Sequence, residues 1–126
     1  MLANLVLVAL GGAVGASLRY LTYLGVGRAV GGGYPWATMT VNVAGSLLMG
    51  LLVGWLVRRG GTGEGLRLFI GVGLLGGFTT FSAFSLDFAL LWQRGEAAGA
   101  IFYALISMAA SIAALFAGLA IMRAGV

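Results

Sequence analysis

Long apolar runs alternate with short polar or glycine-rich interruptions along almost the whole chain. The runs predict helices over about residues 2–24, 36–57, 66–92 and 97–122, parted by a glycine-rich stretch at 25–35, an arginine-bearing loop at 58–67 and a tight turn at 94–96. A bilayer-spanning helix needs about 20 mostly apolar residues, so each run is long enough to cross. The third run departs from this pattern. It carries Gly71, Gly73, Gly76 and Gly77, then Thr79, Thr80, Ser82 and Ser85, then Asp87. Each glycine costs a helix interior about 1 kcal/mol relative to alanine, and a glycine pair followed by two β-branched threonines is a poor continuous helix. Broken backbone is tolerated at membrane depth only where protein buries it or it lines a polar cavity. Discontinuous membrane helices commonly hold ions on the carbonyls and helix ends freed at the break. Residues 71–88 therefore mark an ion site, with the rest of the chain as its housing.

Composition narrows the class. Of 126 residues, 61% are hydrophobic and 8% charged, the balance of a membrane protein. That length is filled by one four-helix transmembrane domain, residues 1–126, with no room for a separate soluble domain. The first run has no Lys or Arg before it, so it reads as a retained helix rather than a cleaved signal peptide. Net charge is +4, from seven arginines and no lysine. Spread over loops without interleaved aromatics, these read as topology signals, and nucleic acid is not an expected partner. Cysteine and histidine are absent, and Glu64, Asp87 and Glu96 are the only acids. That leaves little for acid–base, nucleophilic or zinc chemistry, and an enzyme is not expected. Arg58, Arg59, Arg67 and Arg123 fall on one side of the membrane and Arg28 and Arg94 on the other, with Arg19 near the latter. The positive-inside rule weakly favours both termini inside.

The polar residues left at bilayer depth are few and in register. Thr38, Asn42 and Ser46 are spaced i, i+4, i+8 on the second helix, as are Tyr103, Ser107 and Ser111 on the fourth. Asn42 is costly there unless it finds partners, and interhelical hydrogen bonding is as good a reading from spacing as an ion path. The same even balance holds for the hydroxyl stripe, because a lone membrane serine usually bonds its own i−4 carbonyl. Gly11 and Gly15, in GxxxG spacing, read as a packing seam. Arg19 reads equally as a snorkelling helix-end residue or a vestibule residue drawing in anions. Arg19 and Asp87 are expected at similar depth, as an ion pair or a shared polar mouth. No ring of acids is present, as a cation pore would want. The amide of Asn42 and the hydroxyls of Ser82, Tyr103, Ser107 and Ser111 are donors, which suit an anion. Phe81 and Phe84, three apart, could add their weakly positive ring edges. On chemistry alone, plain core packing is the stronger reading for both.

Three motifs in order carry a resemblance that covers nearly the whole chain. GGFTTFSAF at 76–84 closely resembles the third-helix signature GGxTTFSTF of the Fluc (CrcB) family of fluoride channels. GGAVGASLRY at 11–20 is similar to that family's first-helix GGxxGAxxRY, and TMTVNVAG at 38–45 to its second-helix T-x-x-x-N-x-x-G. The resemblance implies an all-α membrane fold with the third helix broken. It implies an antiparallel, dual-topology homodimer, a multi-pass protein of the cell's inner or plasma membrane. Two fluoride pathways per dimer would let cytoplasmic fluoride leak out passively. A structural Na+ on the twofold axis would be held by backbone carbonyls that match Gly76 and Thr79. The pathway residues would match Asn42, Phe81, Phe84, Tyr103, Ser107 and Ser111, with Ser82 and Thr38 beside them. Ala83 stands where the family commonly has threonine, which removes one hydroxyl near the phenylalanines. Two other classes compete. A small multidrug-type proton-coupled transporter would want an acid in the first helix, and none is there. A non-transporting assembly subunit would leave the amide and hydroxyl stripes unexplained.

Overall fold

The computed structural model describes residues 1–125, and these residues form helices joined by short loops. Four helical spans are long and apolar enough to cross a membrane: α1 (Leu2–Val30), α2 (Trp36–Arg58), α3 (Glu64–Gln93) and α4 (Ala97–Arg123). The first is longer than its sequence pattern predicts. It continues past Leu24 through Gly25 and Gly27, because isolated glycines weaken a helix by only about 1 kcal/mol each without stopping it. It ends at Gly31, whose φ of 78° lies in the left-handed region and whose N–H still reaches the Gly27 carbonyl at 3.0 Å.

Glycine decides how the helices pair. α1 lies against the first half of α3 where Gly11 and Gly15 meet Gly73 and Gly77. A Cβ on Gly73 would stand 2.9 Å from the Gly11 Cα, and one on Gly77 would stand 2.7 Å from the Gly12 carbonyl oxygen. On the other side, α2 and α4 close over Gly50 and Gly118. A Cβ on Gly118 would come to 2.7 Å from the Leu51 nitrogen. In lipid, where apolar contact between helices gains nothing over contact with tails, backbone approach of this kind is what drives association. The fully enclosed side chains are few, chiefly Val41, Leu75, Leu91 and Tyr103. Large apolar side chains cover the outer faces of all four spans, mainly Leu and Val on α1 and α2, with Ile and Phe added on α4.

α3 changes geometry four times. It starts as a short α-turn at Glu64–Leu66, widens to a π-helix over Arg67–Leu75 and tightens again at Gly76–Phe78. Thr79 (ψ 158°) and Thr80 (ψ 124°) are then extended, and helix resumes over Phe81–Gln93. The expected break is thus confined to the two threonines that follow the glycine pair. The restart has a local cause: Thr80 is the N-cap, and its Oγ1 accepts from the Ala83 N–H at 3.1 Å. Nothing in the sequence reading indicated the π-helical stretch. There Gly71 and Gly73 are both buried, and the Gly76 N–H reaches back five residues to the Gly71 carbonyl.

Candidate functional site

The break is held from α2. Asn42 Nδ2 donates to the Thr80 carbonyl at 2.9 Å, and the Thr80 N–H donates to Asn42 Oδ1 at 2.7 Å. In a continuous helix that N–H would bond the Gly76 carbonyl. Likewise the Ala83 N–H, which would bond the Thr79 carbonyl, is taken by the Thr80 hydroxyl. Gly76 and Thr79 therefore lose their ordinary helical donors. Gly76 is exposed, and a Cβ there would meet nothing closer than the Gly71 carbonyl oxygen at 3.8 Å. Neutral carbonyl oxygens are the ligands a hard alkali cation takes. The residues present fit such an ion, although two carbonyls from one chain are too few to surround it. No cluster of His, Cys, Asp or Glu that could hold a metal exists among the described residues.

A groove of about 550 Å³ runs beside the break. Asn42 and Ser46 of α2, Thr79, Thr80, Phe81 and Phe84 of α3, and Ser107 and Ser111 of α4 line it, with apolar neighbours between them. Many of the helix hydroxyls are satisfied locally. Ser17, Thr22, Thr40, Thr79 and Ser85 each bond the carbonyl four residues back, at 2.8 to 2.9 Å. Ser107 does not. Its residue is 4% exposed, and its Oγ has no hydrogen-bond partner among the described residues. An unpartnered buried hydroxyl is costly, so its persistence beside a groove is informative. Asn42 has one amide hydrogen beyond the one it gives Thr80.

The phenylalanines do not share one environment. Phe81 is 78% exposed at the groove edge, which is not the state of a core residue within this chain. Phe84 is partly buried and packs on the cluster of Leu91, Ala100 and Tyr103. Their ring centroids are 5.5 Å apart, and Phe84 lies 5.2 Å from Tyr103, so an aromatic row leads inward from the rim.

A second polar cluster joins all four helices. Tyr23 of α1 meets Thr38 of α2 at 2.7 Å, Thr38 Oγ1 donates to Asp87 Oδ2 of α3 at 2.5 Å, and the Tyr103 hydroxyl of α4 donates to the same oxygen at 3.2 Å. Since the Thr38 proton is given to Asp87, the Tyr23 hydroxyl is the donor to Thr38. Thr38 and Tyr103 thus belong to a clasp around Asp87, not to the lining of the groove, although spacing puts them on the stripes of Asn42 and Ser107. Asp87 is not ion-paired with Arg19, and Arg19 makes no ion pair among the described residues. Arg19 instead lines a separate recess of about 500 Å³ with Tyr20, Tyr23, Thr80, Ser82 and Ala83. Ser82 therefore faces this recess and not the groove. Two participants escaped the sequence reading. Thr80 borders both hollows, and its capping role is legible in hindsight from a threonine three residues before Ala83. Tyr23 carries no comparable signal.

Comparison with known proteins gives a single family. The model of the CrcB-like protein, Camphor Resistance (CrcB), family matches residues 6–119. A protein of Mesorhizobium japonicum (strain LMG 29417 / CECT 9101 / MAFF 303099) named "Fluoride-specific ion channel FluC" is 55% identical over 120 residues, covering 95% of this chain and 96% of the relative. A protein of the same name from Chelativorans sp. (strain BNC1) is 55% identical with the same coverage. Another, from Novosphingobium aromaticivorans, is 56% identical over 121 residues, covering 92% of this chain and 93% of the relative.

Proposed function

The chain belongs to the CrcB-like family, and from that membership we propose that it is a fluoride-selective channel through which cytoplasmic fluoride leaves passively. The observation that carries the reading is the Ser107 hydroxyl, buried, unpartnered, and beside the groove that also takes in Asn42, Phe81, Phe84 and Ser111. Fluoride is small and strongly hydrated, and a path for it must replace lost water with donors. The free Asn42 amide hydrogen and the hydroxyls of Ser107 and Ser111 are such donors, and the edges of Phe81 and Phe84 add weak positive charge at the rim. Tyr103 reaches the path through its ring on Phe84, and an arriving anion competes with Asp87 for its O–H. Thr38 supports that exchange from behind Asp87. Arg19, with Ser82, supplies the recess on the other side of Thr80 as an electropositive vestibule.

One chain leaves the groove open where Phe81 is exposed, and Gly76 at the break is exposed as well. A second copy, inserted in the opposite sense and packed antiparallel, closes it and creates two equivalent paths per dimer. The weak arginine bias between the two ends is compatible with such dual insertion. The Gly76 and Thr79 carbonyls of both copies together provide four oxygens for a structural Na+ on the twofold axis. When bound, the ion contributes fixed positive charge at the centre of an anion channel. The protein acts in the cell's inner or plasma membrane as a multi-pass protein.

Fluoride efflux from liposomes reconstituted with purified protein tests this. The parent releases fluoride, and Ser107→Ala, which removes the orphaned donor without disturbing another residue's hydrogen bond, releases it about tenfold more slowly, as loss of one bond to a charged species would give. A parent that passes no fluoride contradicts the reading.

A further inference from the structure

Two buried side-chain oxygens lack a hydrogen-bond partner among the described residues, Ser107 Oγ and Tyr34 OH. The first borders the groove. The second does not. Tyr34 lies in the loop between α1 and α2, yet its ring turns inward onto the cluster of Leu91, Ala100 and Tyr103. It meets Tyr103 edge-on, with centroids 5.8 Å apart and planes at 88°. Phenylalanine would make the same aromatic contacts without leaving a buried hydroxyl unsatisfied, so packing accounts for the ring and not for the oxygen. Burial raises the Tyr34 pKa above the ordinary phenol value, so at neutral pH the group is a hydrogen-bond donor.

Tyr34 lies at the loop end of the line of hydroxyls on α4. Ser111, Ser107 and Tyr103 follow one another by one helical turn toward this loop, and the next position on that face, Gly99, has no side chain. Tyr34 does not fill that position; it packs from the loop on the neighbouring Ala100 and on Tyr103. The single O–H of Tyr103 is given to Asp87, whereas that of Tyr34 is given to nothing described. The loop is also fixed rather than free: Arg94, paired with Glu96 at 3.5 Å, donates to the carbonyl of Gly33, the residue before Tyr34, at 3.3 Å. We propose that the Tyr34 hydroxyl is a donor to the permeating fluoride at the loop end of the path, beyond Tyr103. This rests on the fluoride-channel reading and extends its donor line by one residue from outside the membrane helices.

Tyr34→Phe separates this role from packing. Fluoride efflux, counted per folded protein in the liposome, falls about tenfold in Tyr34→Phe, while thermal stability is unchanged or higher, as expected for losing one bond to a charged ion and one unsatisfied hydroxyl. Efflux equal to that of the parent makes Tyr34 an ordinary packed tyrosine and overturns the proposal. Failure of Tyr34→Phe to assemble also overturns it, because the hydroxyl would then be structural. A parent without fluoride efflux would instead defeat the channel reading itself, and Ser107→Ala measured alongside distinguishes the two failures.

Discussion

Asn42 and Thr80 hold each other through both ends of one side-chain amide, with the Asn42 Nδ2–Thr80 O bond at 2.9 Å and the Thr80 N–Asn42 Oδ1 bond at 2.7 Å. An amide is the group that can both donate to and accept from one extended residue, and here it stabilises a backbone geometry that helix propensity alone would not select. The residue that spacing singled out as either interhelical glue or ion ligand has the first role in the resting chain. One amide hydrogen remains for the second.

Asn42→Asp tests both roles. The carboxylate still accepts from the Thr80 N–H but cannot donate to the Thr80 carbonyl, and it places a negative charge on an anion path. Fluoride efflux is expected to vanish, and stability to fall by about 1–3 kcal/mol for the carbonyl left unsatisfied. Liposome efflux and a thermal melt of the same preparation check this. An Asn42→Asp protein conducting like the parent removes Asn42 from the path.

Phe81→Ile and Phe84→Ile should part company in stability and agree in function. Phe84 packs on the enclosed cluster, so its replacement costs about 1–3 kcal/mol. Phe81 is largely exposed within the chain, and its replacement leaves the fold of one protomer little changed. Both variants lose a ring edge that an aliphatic side chain cannot reproduce, and both are expected to pass little fluoride. Methionine, polarizable and adaptable in shape, is the control for volume. Size exclusion reports the dimer and efflux reports the path. Folded isoleucine variants that conduct fully would return both rings to packing.

The Asp87 clasp predicts coupling without an Arg19 partner. Thr38→Ala and Asp87→Ala each break the same short hydrogen bond, so a double-mutant cycle in chemical denaturation is expected to show an interaction of about 1.5–3 kcal/mol, the range for a bond to a charged group. Arg19→Gln combined with Asp87→Ala should be additive within about 0.5 kcal/mol. Strong coupling between Arg19 and Asp87, with none between Thr38 and Asp87, would contradict the arrangement.

The proposed axial ion is tested by occupancy. A high-resolution map of the dimer in sodium buffer should contain density on the twofold axis, ringed by the Gly76 and Thr79 carbonyls of both copies. An empty axis under those conditions would remove the ion from the account.

The four spans were legible because hydropathy over about 20 residues is a strong signal and membrane loops leave little freedom. The break was legible from Gly76, Gly77, Thr79 and Thr80, since each is locally unsuited to continuing a helix. What lay beyond the sequence was direction. Spacing put Thr38 on the face of Asn42, but a turn of α2 carries it to Asp87, and only the packing of α3 decides which hollow a side chain meets. Ser82 meets the Arg19 recess for the same reason, since the two extended threonines reset the helical phase just before it. The long π-helix of α3 has no clear composition signal, and the overrun of α1 reflects glycines too few to end a helix that packing supports.

The most direct measurement is simultaneous recording of fluoride and chloride release, with ion-selective electrodes, from liposomes loaded with both salts and reconstituted with the purified protein. Rapid fluoride release that needs no proton gradient, with chloride retained, is the expected result. Equal release of both anions, or no fluoride release from correctly folded protein, would contradict it.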